Sequence, residues 1–321
     1  MEKVLVAEIG STTTVVNAFG DLRTAKARLL GQGIASTTVD KGDVGIGLQA
    51  ALRDLEGQIG PVGLLGEIPF CVTSSIAHIT QAKGMAGLGG LINGSVWPTP
   101  GAVMAAAELV YEEVGDVLVF DVGGAATAVY SVTLGLERSR EGAGTPQPLA
   151  KRTAARDLGV YVNARRIAEL AGEDTIKQKY GDSWQKLLQP IPATAESVAL
   201  SRELAAIALR HAYLRHCGRS RQEQGPDGCK SRVEGRDLSQ VRWIIGTGGA
   251  LTRLPNGLEL LRQALAKPEE GLAPGDESLA PGDKAAFLLD RNYVMASLGA
   301  LSGSYRQGAW QLLRESLGIE T

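Results

Sequence analysis

Nine residues near the start of the chain recur without a gap 113 positions later. Glu8-Ile9-Gly10-Ser11-Thr12-Thr13-Thr14-Val15-Val16 lies over Asp121-Val122-Gly123-Gly124-Ala125-Ala126-Thr127-Ala128-Val129, with acid on acid, glycine on glycine and Thr14 on Thr127. Each copy sets a glycine turn between short apolar, β-branched runs: Val4 to Ile9 with Thr14 to Phe19, and Val117 to Val122 with Thr127 to Thr133. That pattern predicts antiparallel strands around a tight turn. One hairpin design used twice predicts two lobes of related fold, and 321 residues suffice for two domains with their own cores. A composition of 44% apolar and 21% charged residues makes both lobes globular.

Around the hairpins, a helix is predicted over Gly47 to Leu55, with buried strands at Val62 to Leu65 and Phe70 to Thr73. A glycine-rich stretch, Gly84 to Gly94, precedes a helix over about Gly101 to Val114, and Glu137 to Gln147 reads as a loop. Helices follow over Tyr161 to Ala171 and Ala195 to His216, the second capped by Thr194. Gly218 to Arg236 reads as a charged, flexible loop, Val241 to Ile245 as a strand, and Leu258 to Ala266 as a helix capped by Asn256. Gly271 to Gly282 reads as a loop, and two helical segments, Asn292 to Leu301 and Arg306 to Leu317, end the chain.

The hairpins carry the parts of a phosphate site. Gly10, Gly123 and Gly124 let backbone N–H groups approach phosphate oxygens, Ala125 adds backbone, and Ser11, Thr12, Thr13 and Thr127 add hydroxyls. The acids ending the first strands, Glu8 and Asp121, would repel phosphate. They fit instead as water-mediated ligands of Mg²⁺, which keeps several waters and takes few carboxylates, and so are the candidate metal ligands and catalytic acids. Either hairpin alone reads equally well as an ordinary glycine turn. A third element, Ile244-Ile245-Gly246-Thr247-Gly248-Gly249-Ala250-Leu251, follows a strand directly, and Gly246, Thr247, Gly248 and Gly249 would admit a nucleoside or an α-phosphate close to the backbone. The predicted ligands are ATP or ADP with Mg²⁺.

A net charge of −2 offers no basic face for nucleic acid or a membrane surface. No apolar run reaches membrane length, and Met1-Glu2-Lys3 leads into a strand without a signal-peptide pattern. Cys71, Cys217 and Cys229 are scattered, which argues against a disulfide framework or a thiolate zinc site and fits a cytoplasmic protein. His78, His211 and His216 are not promoted to metal ligands; His211 lies on the stripe Leu204, Ile207, Leu214 and reads as a packed or half-buried histidine. The charges from Arg215 to Arg236 read as a solvated face.

The order of hairpin, hairpin and glycine loop is similar to that of the actin-like, sugar-kinase and heat-shock-chaperone superfamily. Pro98-Thr99-Pro100-Gly101-Ala102-Val103 resembles its first interdomain helix motif. Ala296-Ser297-Leu298-Gly299-Ala300 resembles the second, where small residues let helices cross closely. The resemblance implies an α/β fold: a two-lobed actin-like ATPase of duplicated ribonuclease-H-like domains with a nucleotide cleft between the lobes. Lobe I would take residues 1–105 and the returning segment 292–321, and lobe II residues 106–291.

A narrower resemblance spans the chain. Val4 to Phe19, Pro98-Thr99-Pro100, Asp121 to Val132, Ala150-Lys151-Arg152-Thr153, Asp157-Leu158-Gly159, Arg215-His216, Ile245 to Gly249 and Leu312 to Leu317 resemble the accessory ATPase family of adenosylcobalamin-dependent glutamate (methylaspartate) mutase, labelled MutL-like. It implies an ATP-driven reactivase or chaperone acting on adenosylcobalamin-dependent mutase subunits, glutamate mutase or an ornithine or lysine aminomutase, and is compatible with a homo-oligomer. The chain is shorter than that family's members, and it departs from the pattern. Ala126 and Ala128 stand where the family has threonine and aspartate, and Ala155 where it has glutamate. These losses imply binding with slow or absent hydrolysis, so a nucleotide-sensing scaffold is a rival expectation. A small-molecule kinase would need a catalytic aspartate that the first lobe does not offer. An activator of iron–sulfur dehydratases would need paired cysteines.

Overall fold

The computed structural model describes residues 2–38, 43–63, 65–76, 93–136, 147–225, 228–266 and 276–320. His78, residues 84–92 of the glycine-rich stretch, 137–146 of the Glu137 to Gln147 loop and 271–275 of the Gly271 to Gly282 loop lie outside them. The chain forms two compact units: residues 1–109 with 189–193 and 290–321, and residues 110–188 with 194–289.

In the first unit β1 (Lys3–Ile9) and β2 (Thr13–Gly20) form the expected hairpin, and β3 (Arg28–Ser36) extends it. After α1 (Val44–Ile59) come β4 (Phe70–Ser74) and β5 (Val96–Pro98). The sheet order is β3-β2-β1-β4-β5, with β1 to β3 antiparallel and β4 and β5 parallel to β1. Val44, Leu48, Ala51 and Leu55 recur at helical spacing and bury α1 against Leu5, Ala7, Val16 and Val72. The helix outruns the predicted Gly47 to Leu55 because Asp43 caps it, accepting from the Gly45 N–H at 2.8 Å. β3 carries a weak strand signature because of its glycines. A Cβ on Gly33 would stand 1.9 Å from the Ala51 carbonyl oxygen, so glycine is what lets α1 lie on this strand. The predicted strand at Val62 to Leu65 does not form; Val62 is buried in coil ahead of a single 3₁₀ turn, Leu65–Glu67.

The chain passes into the second unit within α2 (Thr99–Val114). There β6 (Val117–Val122) and β7 (Thr127–Val132) make the second hairpin, joined by β8 (Ala150–Ala155). Helices α3 (Ala164–Ala171), α4 (Glu173–Tyr180) and α5 (Ala195–His216) follow. Then come β9 (Arg219–Gly225), β10 (Gly228–Glu234), β11 (Trp243–Thr247), α6 (Gly249–Thr252), α7 (Gly257–Leu265), β12 (Asp276–Ser278) and β13 (Ala286–Leu289). The sheet order β8-β7-β6-β11-β13 repeats the first unit strand for strand, three antiparallel and two parallel. The sequence repeat is therefore a duplicated topology, the expected ribonuclease-H-like α/β arrangement in each unit.

Thr194 caps α5 as expected, in a reciprocal capping box with Ser197. The buried face of this helix runs through Leu200, Leu204, Ala208 and Ala212 to His216, whereas Leu214 of the predicted stripe is exposed and His211 half-buried. The expected loop from Gly218 to Arg236 is instead the β9–β10 hairpin, and Asp276–Ser278, expected as loop, pairs with β9 as a third strand. Nor is this segment all solvated face: Arg236 is buried, its guanidinium donating to the Thr133 and Leu149 carbonyls. Asn256 precedes α7 but sits in the left-handed region (φ 56°) and makes no side-chain cap bond. Finally α8 (Met295–Leu301) and α9 (Arg306–Leu317) return to the first unit. The small residues of α8 act as expected: a Cβ on Gly299 would lie 1.9 Å from the Ala102 carbonyl oxygen, so α8 and α2 meet backbone to backbone. No helix among the described residues is long and apolar enough to cross a membrane.

Candidate functional site

The two hairpin turns close with the same bond. Gly10 N–H donates to the Thr13 carbonyl at 2.9 Å, and Gly123 N–H, 113 residues on, donates to the Ala126 carbonyl at 2.9 Å. Between them, the amides of Ser11 and Thr12 in the first turn and of Gly124 and Ala125 in the second donate no hydrogen bond among the described residues. These turn residues are half-exposed. Successive unbonded amides in a turn form a concave donor set for an anion.

In the first unit Glu8 ends β1 and is buried at 8% exposure. It accepts from the Tyr293 hydroxyl at 3.0 Å, an oxygen the fold brings from the far end of the sequence. Parallel pairing sets Thr73 of β4 beside Glu8 on the same sheet face. The segment after β4 folds over the turn: Ser74 Oγ donates to the Ile9 carbonyl at 3.0 Å, and Ser75 Oγ lies 3.4 Å from Ser11 Oγ. Behind the acid a buried amide network runs from Gln32 through Asn17 (2.6 Å) to Ser297 (2.9 Å) and orders the start of α8. Asp290, fully buried, holds that helix start too, accepting from the amides of Val294 and Met295 and from the Ser316 hydroxyl.

In the second unit Asp121 ends β6, with Thr247 of β11 on one side and Ala128 of β7 on the other. The glycine loop is pressed onto this corner. Gly248 has φ 88°, and a Cβ there would lie 2.5 Å from Asp121 Oδ1 and from the Val122 nitrogen, so neither its conformation nor its space admits a side chain. Gly249 starts α6 with nothing within 4 Å of a Cβ position. The structure thus brings Asp121, the Gly123–Ala126 turn and the Gly246–Gly249 loop to one sheet end, while Glu8 and the Gly10–Thr13 turn occupy the matching end of the other sheet.

Two expected contributions are not available to a ligand. Thr127 is fully buried and its hydroxyl donates to the Leu158 carbonyl at 2.7 Å, so its proton is committed inside the protein. Ala155 is Thr127's cross-strand neighbour within the apolar core beside Leu118, Phe120 and Val122, so its lack of a carboxylate leaves the exposed turn unchanged. Asp157-Leu158-Gly159 instead clamps the second turn from behind. The amides of Val160, Tyr161 and Val162 donate to the Gly123 and Gly124 carbonyls, and Arg215 holds Asp157 by two bonds of 2.5 and 2.7 Å. That guanidinium keeps the Asp157 carboxyl below the usual range. His216, far from either turn in sequence, is held between Thr153 (2.8 Å) and Ser131 (2.9 Å), so both ring nitrogens are engaged within the core.

Thr73, Ser75 and Tyr293 escape a reading of motifs, and Asp157-Leu158-Gly159 is read there as a motif but not as a clamp on the second turn. Thr73-Ser74-Ser75 does leave a trace, three hydroxyls closing a buried apolar strand as Thr247-Gly248-Gly249 closes its counterpart; Tyr293 leaves none. Among the described residues no group of three or more His, Cys, Asp or Glu side chains could hold a metal directly. Mg²⁺ does not need one, since one carboxylate, waters and phosphate oxygens suffice. The Thr73 hydroxyl, fully buried beside Glu8 with no partner among the described residues, is the kind of group that a cation's water shell would complete.

A family model described as MutL protein matches residues 4–77 and 72–317. Protein MutL of Clostridium tetanomorphum is 29% identical over 258 residues, which cover 74% of this chain and 54% of that protein. The chain spans about half the length of this curated relative. Component A of the (R)-2-hydroxyglutaryl-CoA dehydratase of Acidaminococcus fermentans is similar with a TM-score of 0.46 at 14% identity, covering 96% of this chain and 100% of that one. The ethanolamine utilization protein EutJ of Carboxydothermus hydrogenoformans is similar with a TM-score of 0.47 at 12% identity, covering 94% and 90%.

Proposed function

The chain belongs to the MutL protein family, and from that premise we propose that it binds ATP or ADP with Mg²⁺ and acts as an accessory protein, a reactivase or chaperone, of an adenosylcobalamin-dependent mutase. The observation that carries the nucleotide reading is the pair of equivalent turns, each offering two consecutive unbonded amides beside a strand-end acid. Phosphate oxygens accept from the amides of Ser11 and Thr12 and of Gly124 and Ala125, with Ser11 and Thr12 adding hydroxyls. Glu8 and Asp121 would hold Mg²⁺ through its waters, and the metal would supply charge neutralisation at the phosphates. Gly249, with nothing within 4 Å of a Cβ position, leaves room for the nucleoside side of the ligand.

Titration calorimetry with ATP, ADP, GTP and a DNA oligonucleotide tests this reading: heat with the adenine nucleotides and none with DNA is expected. Folded protein that gives no heat with either adenine nucleotide sinks it. Glu8→Ala and Asp121→Ala should weaken binding in Mg²⁺ and leave the fold intact. A scaffold that binds nucleotide without turning it over is favoured by Ala126 in the turn and by Ala128, which puts no polar group across from Asp121. Loss of a donor aimed at developing charge costs about 10²–10³ in rate, so single-turnover hydrolysis near background with measurable affinity selects the scaffold.

A further inference from the structure

The duplication assigns a role to residues that the motif pattern leaves out. In the second unit the parallel neighbour of the acid is Thr247, which opens the glycine loop; in the first unit the parallel neighbour of Glu8 is Thr73. The hydroxyl of Thr73 has 0% exposure and no hydrogen-bond partner among the described residues. A second orphan stands close in the chain path: Thr99, 6% exposed, opens the sixteen-residue helix α2 two positions after Trp97, the register partner of Thr73 on β5. Buried hydroxyls are rarely left unbonded, because burial strips them of water with nothing in exchange. Two of them at the carboxyl ends of adjacent parallel strands mark the end of an open α/β sheet where ligands sit.

We propose that Thr73 and Thr99 are positioning residues of the first unit, which bond to waters in the shell of a divalent cation held through Glu8. This rests on the nucleotide reading above and deepens it. A hydroxyl suits the place because it accepts from a metal-bound water and donates to a carboxylate oxygen, adding no charge next to a buried acid. Such outer-shell partners set the orientation of the waters that a small cation gives up reluctantly.

The consequence is an opposition between empty-state stability and metal dependence. Thr73→Val keeps the side-chain shape and removes the orphan, so the protein without ligand should melt about 2–4 °C higher, the shift expected when a buried unsatisfied hydroxyl is relieved in a unit of this size. The same variant should raise the Mg²⁺ concentration that half-saturates tight nucleotide binding by about tenfold, the low end for loss of an outer-shell partner. ADP binding without Mg²⁺ should stay within about twofold of the parent, since the turn amides are untouched. Thr73→Ser should restore the parent's Mg²⁺ dependence, and Thr99→Val should repeat the pattern at a second position. The measurements are melting of the ligand-free full chain and nucleotide titrations across a Mg²⁺ series. Unchanged Mg²⁺ half-saturation in both valine variants overturns the proposal, as does an equal loss of affinity with and without Mg²⁺. A parent that binds nucleotide with no Mg²⁺ dependence overturns it while leaving the nucleotide reading intact. A parent that binds no nucleotide removes both.

Discussion

Replacing Gly159 by alanine adds one methyl group, and the structure assigns that methyl group a large effect. An ideal Cβ at Gly159 lies 2.2 Å from the Ala125 carbonyl carbon and 2.5 Å from its Cα and oxygen. Ordinary contact begins near 3.4 Å, so the clamp and the second turn must separate by about 1.2 Å. Four bonds cross that gap: Val160 N–H to the Gly123 carbonyl at 3.2 Å, Tyr161 and Val162 N–H to the Gly124 carbonyl at 2.9 and 2.8 Å, and Thr127 Oγ1 to the Leu158 carbonyl at 2.7 Å. Each contributes about 0.5–1.5 kcal/mol net, and overpacking adds about 1–3 kcal/mol before relaxation, so a loss of about 2–6 kcal/mol is expected if half the bonds survive. Gly57→Ala is the control. It makes the same chemical change inside α1, where nothing lies within 4 Å of the new methyl, and should stabilise by about 0.5–1 kcal/mol through helix propensity. Urea denaturation followed by tryptophan fluorescence measures both, and nucleotide titration asks whether the displaced turn still binds. Equal stability of the Gly159→Ala variant and the parent, or a loss of the same sign at Gly57, would refute the packing argument.

The His216 ring is held neutral in the fold, its pKa pushed down to about 3 by burial first and then by the positive charges of Lys151 and Arg236. The unfolded chain takes up that proton near pH 6.5, so the stabilisation is complete above pH 6.5 and is lost as pH falls toward about 3, at up to about 1.4 kcal/mol per pH unit. Denaturation midpoints between pH 7 and pH 4.5 should fall more steeply for the parent than for His216→Gln, and parallel slopes would contradict this. Asp290→Ala leaves the Val294 and Met295 amides and the Ser316 hydroxyl unpaired in the core, and should cost about 3 kcal/mol or more at the denaturation midpoint; a change under about 1 kcal/mol would mean that water replaces the carboxylate.

The hairpins were legible in the residues because their information is local: a glycine turn flanked by β-branched runs, with an acid at a fixed place before it. Gly10 and Gly123 close their turns with the same bond at the spacing read from the repeat. Helix α5 was legible for the same reason, its cap and its buried spacing lying within one segment. What could not be read is what depends on a distant neighbour. Gly31 and Gly33 look like turn residues until α1 is laid across them. β9 and β10 have no apolar alternation to announce them, and only their pairing makes them strands. Thr127 reads as a ligand position and Ala155 as the place of a missing carboxylate, yet cross-strand pairing turns both into the core. Thr73 becomes the neighbour of Glu8 only through a parallel pairing across 65 residues, and Tyr293 reaches the same acid from 285 residues away. Backbone turn chemistry is written in adjacent residues, whereas the face a side chain presents and the group it meets are set by which strands and helices the whole chain brings together.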